Sequence, residues 1–216
     1  MIRYILLACS LLLLSACSFT TPKNDWQINS INAYESYKKY YLKGEDNLAN
    51  TDMKRAVKYA KQSADLNTLA RIYLSECALH VSVLEDDDCK KYKELDDLVT
   101  SDELRSYSLF LQNKITKDDI KNLPSRYQDF SEYVQKKEYI NAQKELEKMD
   151  DIVSKMVAAS LIREYLDPKS IKNIIDEASF YGYKKAVINW MKFYETKVTD
   201  STERDLINKK LKILNH

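Results

Sequence analysis

The chain holds only two glycines, Gly44 and Gly182, and three prolines in 216 residues. An average protein carries about 7% glycine and about 5% proline. Turn-rich β architectures need residues at positive φ in many places, and glycine supplies that conformation at least cost. So few glycines predict an all-α fold, with helices joined by short polar turns. The same scarcity removes function classes. A phosphate-cradling loop, a dinucleotide fingerprint and a nucleophile elbow each need two or more glycines within a few residues, and the two glycines here are far apart.

Hydropathy patterning agrees with helices. Hydrophobic and charged fractions of 44% and 31% are those of a globular chain with one good core or two small ones. Trp26, Ile31, Tyr34, Tyr37 and Tyr41 recur at helical spacing up to Gly44. The tyrosine stripe reads as a packed helix face whose hydroxyls reach water, set against an aromatic contact surface. Thr51 or Asp52 is positioned to cap a second helix bearing Met53, Ala56, Val57, Ala60 and Ala64. A third carries Leu69, Ala70, Ile72, Tyr73, Cys77, Val81 and Leu84 inward. The acidic run Glu85-Asp86-Asp87-Asp88 suits the N-terminus of a helix through Cys89, Tyr92, Leu95, Leu98 and Val99. Capping-box spacing recurs in Thr100-Ser101-Asp102-Glu103, in Thr116 to Asp119 and in Ser125 to Gln128. Pro124 marks a break, so a sub-boundary is expected near 114–124. Asp167-Pro168 restarts a helix, and Asp200 or Ser201 caps a terminal one.

The N-terminus reads as an address. Behind Met1-Ile2-Arg3 stand about ten apolar residues, Ile5 to Leu14, roughly half of what a membrane-crossing helix needs, so a removed secretory signal is expected. Leu14-Ser15-Ala16-Cys17 then resembles the lipobox of bacterial lipoproteins. That resemblance implies that Leu14, Ser15 and Ala16 are read by the processing machinery and that Cys17 is acylated and opens the mature chain. Residues 1–16 become the signal, 17–25 a lipidated tether and 26–216 the helical domain. Two or more acyl chains hold a protein stably on a membrane where one does not. Ser18, where an aspartate would favour inner-membrane retention, points by the same resemblance to the outer membrane facing the periplasm.

Three stretches resemble helical repeats, one of them Tyr133 with Tyr139, Ala142 and Leu146 at tetratricopeptide-like spacing. Arg55-Ala56-Val57-Lys58-Tyr59-Ala60 through Ser63-Ala64, followed by Leu69-Ala70-Arg71-Ile72-Tyr73, resembles the helix–turn–helix of tetratricopeptide and Sel1-like repeats, with the turn glycine or proline missing. Ala178, Gly182, Ala186 and Trp190, four apart, resemble a Sel1-like hairpin in which Gly182 makes the turn. The resemblance implies stacked hairpins in a short array; the alternative is an irregular helical bundle.

Few residues offer chemistry. Cys9 leaves with the signal and Cys17 takes lipid, so Cys77 and Cys89 remain as an even pair in an exported domain, which points to a disulfide. Cys77, His80, Glu76 and Cys89 together lack an evident set of four metal ligands, and the acidic run lacks EF-hand spacing, so no metal site is expected. Glu35-Ser36 resembles the catalytic pair of lytic transglycosylases, but the glycine motifs of those enzymes are missing and Glu35 reads as solvated. No catalytic residue and no cofactor are expected. A net charge of +1 without a basic stripe argues against nucleic acid. What remains is a non-catalytic envelope lipoprotein that binds proteins or assists assembly, with partners not named by the sequence. Cell or host contact and peptidoglycan cleavage through Glu35 are the alternatives.

Overall fold

A computed structural model describes residues 24–215; Leu14, Ser15, Ala16 and Cys17 lie outside them. The described chain is all-α, with twelve α-helices, two 3-10 turns and no strand. The helices are α1 (Asp25–Lys43), α2 (Asp46–Ala60), α3 (Leu66–Ser82), α4 (Lys90–Lys93), α5 (Asp102–Leu111) and α6 (Lys117–Ile120), then α7 (Ser125–Gln135), α8 (Tyr139–Glu147), α9 (Ile152–Leu161), α10 (Pro168–Phe180), α11 (Lys184–Lys197) and α12 (Ser201–Leu214). The 3-10 turns are Asp96–Leu98 and Arg163–Tyr165.

Side-chain oxygens start half of the longer helices. Asp65 accepts from Asn67 and Thr68 N–H at α3, Ser101 from Leu104 at α5, Asp151 from Ser154 at α9, Asp167 from Ser170 at α10 and Asp200 from Glu203 at α12. Each such cap contributes about 1 kcal/mol. Thr116 and Asp119 form the expected box, the Asp119 carboxylate accepting from both the Thr116 N–H and its hydroxyl. Ser125 is already the first residue of α7, after Pro124, and Gln128 donates instead to the carbonyls of Lys121 and Leu123.

Helix ends are where the chain departs from simple signals. Gly44 (φ +79°) and Gly182 (φ +68°) stop α1 and α10 in the left-handed region, with Glu45 N–H reaching Tyr40 O and Tyr183 N–H reaching Ala178 O. Leu84, Asn113 and Lys137 take the same conformation without being glycine, and the same long-reach bonds follow: Glu85 N–H to His80 O, Lys114 to Leu109 and Glu138 to Tyr133.

Two expected boundaries move. The helix expected to start at Thr51 or Asp52 starts at Asp46, because the Gly44 turn returns the chain to helix at once. Thr51 then lies inside α2, donating to Asn47 O, while Asp52 pairs with Arg55 at 2.7 Å. The helix expected from the acidic run through Val99 is broken. Cys89 itself is left-handed (φ +56°), α4 lasts four residues, and a 3-10 turn leaves Leu98 exposed. Ile31, expected inward, is exposed as well.

α1 and α2 form an antiparallel hairpin, tied near its open end by Ser30 Oγ donating to Ala56 O at 2.9 Å. α7 packs on α8 and α10 on α11 as further hairpins. Ala178 and Ala186 are fully buried on either side of the Gly182 turn, where their small side chains let α10 and α11 approach closely. α3 is central and touches α1, α2, α5 and α9. In an open array each hairpin meets only its neighbours. Here α11 also packs on α1, and its Asn189 and Trp190 reach the end of α3, so the array closes into a bundle. One buried core runs from Ala33 to Leu211 and includes Ile115, Ile120 and Leu123, so burial continues through 114–124.

Candidate functional site

A polar cluster lies where the C-terminal half of α3 meets α1 and the loop 83–89. On α3, Cys77 and His80 stand three residues apart and so share a face. On α1, Tyr37 and Tyr41 face them from successive turns. Tyr37 is buried and its hydroxyl lies 3.1 Å from His80 Nε2. His80 Nδ1 lies 2.6 Å from Asp87 Oδ2, and the other Asp87 oxygen accepts from Cys89 N–H at 2.7 Å. Tyr41 donates to Glu85 Oε2 at 2.5 Å, and its ring stands 5.1 Å from the His80 ring. Lys185 of α11 sits 4.1 Å over the Tyr41 ring and pairs with Asp46 at 2.7 Å. The loop is closed by the Cys77–Cys89 disulfide, Cα–Cα 5.3 Å, with both residues buried.

Electrostatics orders the protons. An ionised Asp87 only accepts, so Nδ1 of His80 carries a hydrogen toward it, and in the tautomer that bears only that hydrogen Nε2 accepts from Tyr37. The bond from His80 holds Asp87 below the usual carboxylate range, helped by Cys89 N–H and opposed by burial. Burial is the main cause that pushes the Tyr37 and Tyr41 hydroxyls well above the ordinary phenol value, with Glu76 adding to it at Tyr37 and the Glu85 bond at Tyr41. Both phenols therefore stay protonated donors. The chain Tyr37–His80–Asp87 works in this form as a lock that holds the disulfide loop against two helices.

No family model, curated protein or solved structure matches the chain. Its site residues are therefore read from their geometry alone.

The structure brings Cys77 and Cys89 together as expected and sets Glu76 apart from them, bound through both oxygens to Lys91 at 2.6 and 2.8 Å. Glu35 is exposed on α1 and pairs with Lys38 at 2.5 Å, one turn along the same helix. In the sequence Asp87 belongs to an acidic run and Tyr37 and Tyr41 to a packing stripe, and only the fold of α1 and loop 83–89 onto α3 brings them to His80. The signal present in the sequence was the three-residue step from Cys77 to His80.

A second feature is a groove of about 270 Å³ between α8 and α10, lined by Leu146, Ile174, Gln143 and Asn173. At its floor the buried Lys155 is held by both oxygens of Glu177, at 2.6 and 2.8 Å. At one end Gln143 donates to Tyr165 O, Tyr139 stacks on Tyr165 with ring centroids 3.5 Å apart, and Ile140 is exposed beside them.

Proposed function

We propose that this chain is a lipid-anchored lipoprotein of the bacterial envelope, held on the membrane through acyl chains on Cys17, that acts by binding other proteins through its helical surface. The sequence Leu14-Ser15-Ala16-Cys17 behind a short apolar run carries the anchoring half of the reading. The binding half is supported by apolar side chains set where the fold does not need them. Phe180 is 85% exposed, Tyr181 stacks against Tyr183 beside it at the α10–α11 turn, and Ile140 is 74% exposed on α8. Exposed aromatic groups on a helical frame are the usual anchors of protein contacts. No described helix is long and apolar enough to cross a membrane.

The chain works by tethering: confinement to a membrane surface raises its effective concentration for partners there. The test is cross-linking in living cells followed by purification of the protein and identification of what accompanies it. One partner recovered in constant ratio, and lost both with Cys17→Ser and with Phe180→Ala/Tyr181→Ala, supports the reading. Recovery unchanged by both changes contradicts it.

A further inference from the structure

Cys77, Cys89 and Asp87 offer ligand atoms that all lie within 4.8 Å of one another. His80 Nδ1 adds an imidazole 2.6 Å from the Asp87 carboxylate, on the same face of α3 as Cys77. We propose that the dithiol form of this chain binds one zinc-class divalent cation through Cys77 Sγ, Cys89 Sγ, His80 Nδ1 and Asp87 Oδ2, and that forming the disulfide abolishes the site.

Two thiolates, one imidazole and one carboxylate are a donor set that zinc takes in tetrahedral coordination. Metal–ligand bonds of about 2.0–2.3 Å give a tetrahedron with edges of roughly 3.3–3.8 Å. Reaching it takes a rearrangement: the sulfurs separate once their bond is gone, Asp87 Oδ2 and His80 Nδ1 spread from direct hydrogen bonding to adjacent vertices, and His80 Nδ1, which stands outside the group of atoms within 4.8 Å, closes on the sulfurs. The 5.3 Å between the cysteine Cα atoms leaves the two sulfurs within reach of one ion. A metal-bound histidine needs a partner on its other nitrogen to fix the ring. Tyr37 Oη, 3.1 Å from Nε2, is that partner, and Cys89 N–H already holds the second Asp87 oxygen. Both cysteines are buried, whereas the His80 and Asp87 side chains are 25% and 23% exposed, so an ion enters from their side.

The chemistry balances in two steps. A phosphine reductant and water convert the disulfide into two thiols and a phosphine oxide; a newly made chain holds those thiols already. The cation then displaces two thiol protons, while the imidazole proton passes from Nδ1 to Nε2 and the carboxylate binds ionised. A second disulfide, taking the two electrons from the thiolates and two protons from water, is reduced to two thiols while the metal leaves and the Cys77–Cys89 bond closes.

The full chain carrying Cys9→Ser and Cys17→Ser, so that Cys77 and Cys89 are its remaining thiols, is reduced with a phosphine under nitrogen and titrated with Co²⁺, then competed with Zn²⁺. The expected result is one equivalent of Co²⁺ bound, with the visible bands of tetrahedral cobalt and a thiolate charge-transfer band, all removed by Zn²⁺ and absent from the oxidised chain. His80→Gln and Asp87→Asn each weaken binding by about 10- to 100-fold or more, judged from the effect of losing supporting groups around a metal. If reduction unfolds the chain by circular dichroism, zinc restores its helicity, because binding energy is then folding energy. Absence of tetrahedral bands, both variants binding as tightly as the parent, or an unfolded reduced chain that zinc does not refold would each overturn the assignment.

Discussion

The indole Nε1 of Trp190 donates to the backbone carbonyl of Ser82 at 2.9 Å, joining residues 108 apart in the chain. Trp190 is wholly buried on α11, and Ser82 is the last residue of α3. The bond satisfies a carbonyl that a helix end leaves without an intrahelical partner. Beside it Asn189 does the same for Val83 O. Together they close the C-terminal hairpin onto the central helix, and this separates a closed bundle from an open array.

Trp190→Phe keeps most of the ring and strands the Ser82 carbonyl. Leaving a buried acceptor unsatisfied costs about 1–3 kcal/mol, to which the lost ring volume adds. Urea denaturation followed by circular dichroism should show the midpoint falling by a corresponding amount. An unchanged midpoint would mean that the α11–α3 contact contributes nothing to closure.

Lys137 ends α7 at φ +58° with its side chain exposed. A non-glycine residue in that region is strained by about 1 kcal/mol. Lys137→Gly is therefore expected to raise stability by up to about 1 kcal/mol, part of it offset by glycine's greater freedom in the unfolded chain. Fluorescence-monitored urea unfolding measures it, and a loss of stability would contradict the account of this helix end.

Those helix ends mark the limit of what the sequence shows. Gly44 and Gly182 mark their turns, and Asp167 and Asp200 stand where capping side chains are expected, while the caps at Asp65 and Ser101 show only in the structure. Leu84 and Lys137 carry no such mark, whereas Asn113 is of the residue type that takes the left-handed region after a helix. The same holds at the site. The Cys77–His80 step and the cysteine pair are local and legible, whereas Tyr37 and Tyr41 join the cluster only through contacts 43 and 44 residues apart, and Asp87 only because the loop after α3 turns it back onto His80, seven residues away. The reach of Trp190 to Ser82 is likewise a product of closure, and an alanine–glycine spacing cannot state it.

The Lys155–Glu177 pair at the floor of the α8–α10 groove has one buried partner and one that is 39% exposed. Glu177→Gln leaves the Lys155 ammonium buried without its counter-charge, and breaking such a pair is costly. The exposure of Glu177 reduces the expected loss to about 1–2 kcal/mol. Lys155→Met combined with Glu177→Gln removes the charge altogether and should recover most of it. A double-mutant cycle on unfolding free energies checks this, and purely additive effects would contradict the coupling.

Asp87 gives the cluster a pH signature. Its folded value lies below the ordinary range, chiefly through the bond from His80, with Cys89 N–H and Lys91 helping and burial opposing. A depressed carboxylate contributes stability that is fully present above its unfolded value of about 3.9 and is lost as pH falls through the folded value. Asp87→Asn should therefore lower the urea midpoint at neutral pH, and the gap from the parent should narrow below about pH 4. A gap that stays constant down to the acid limit would show that Asp87 is not held as an ion by His80.

The central claim is that this helical bundle is displayed on a membrane by lipid on Cys17. Intact-mass analysis of the protein extracted from bacterial membranes tests it most directly. The predicted result is a chain that begins at Cys17 with the mass of two or three fatty acyl chains on that residue, and a Cys17→Ser protein that carries none and leaves the membrane fraction. An unacylated chain beginning at Met1 or at any other residue, or a Cys17→Ser protein that stays equally membrane-bound, would contradict it.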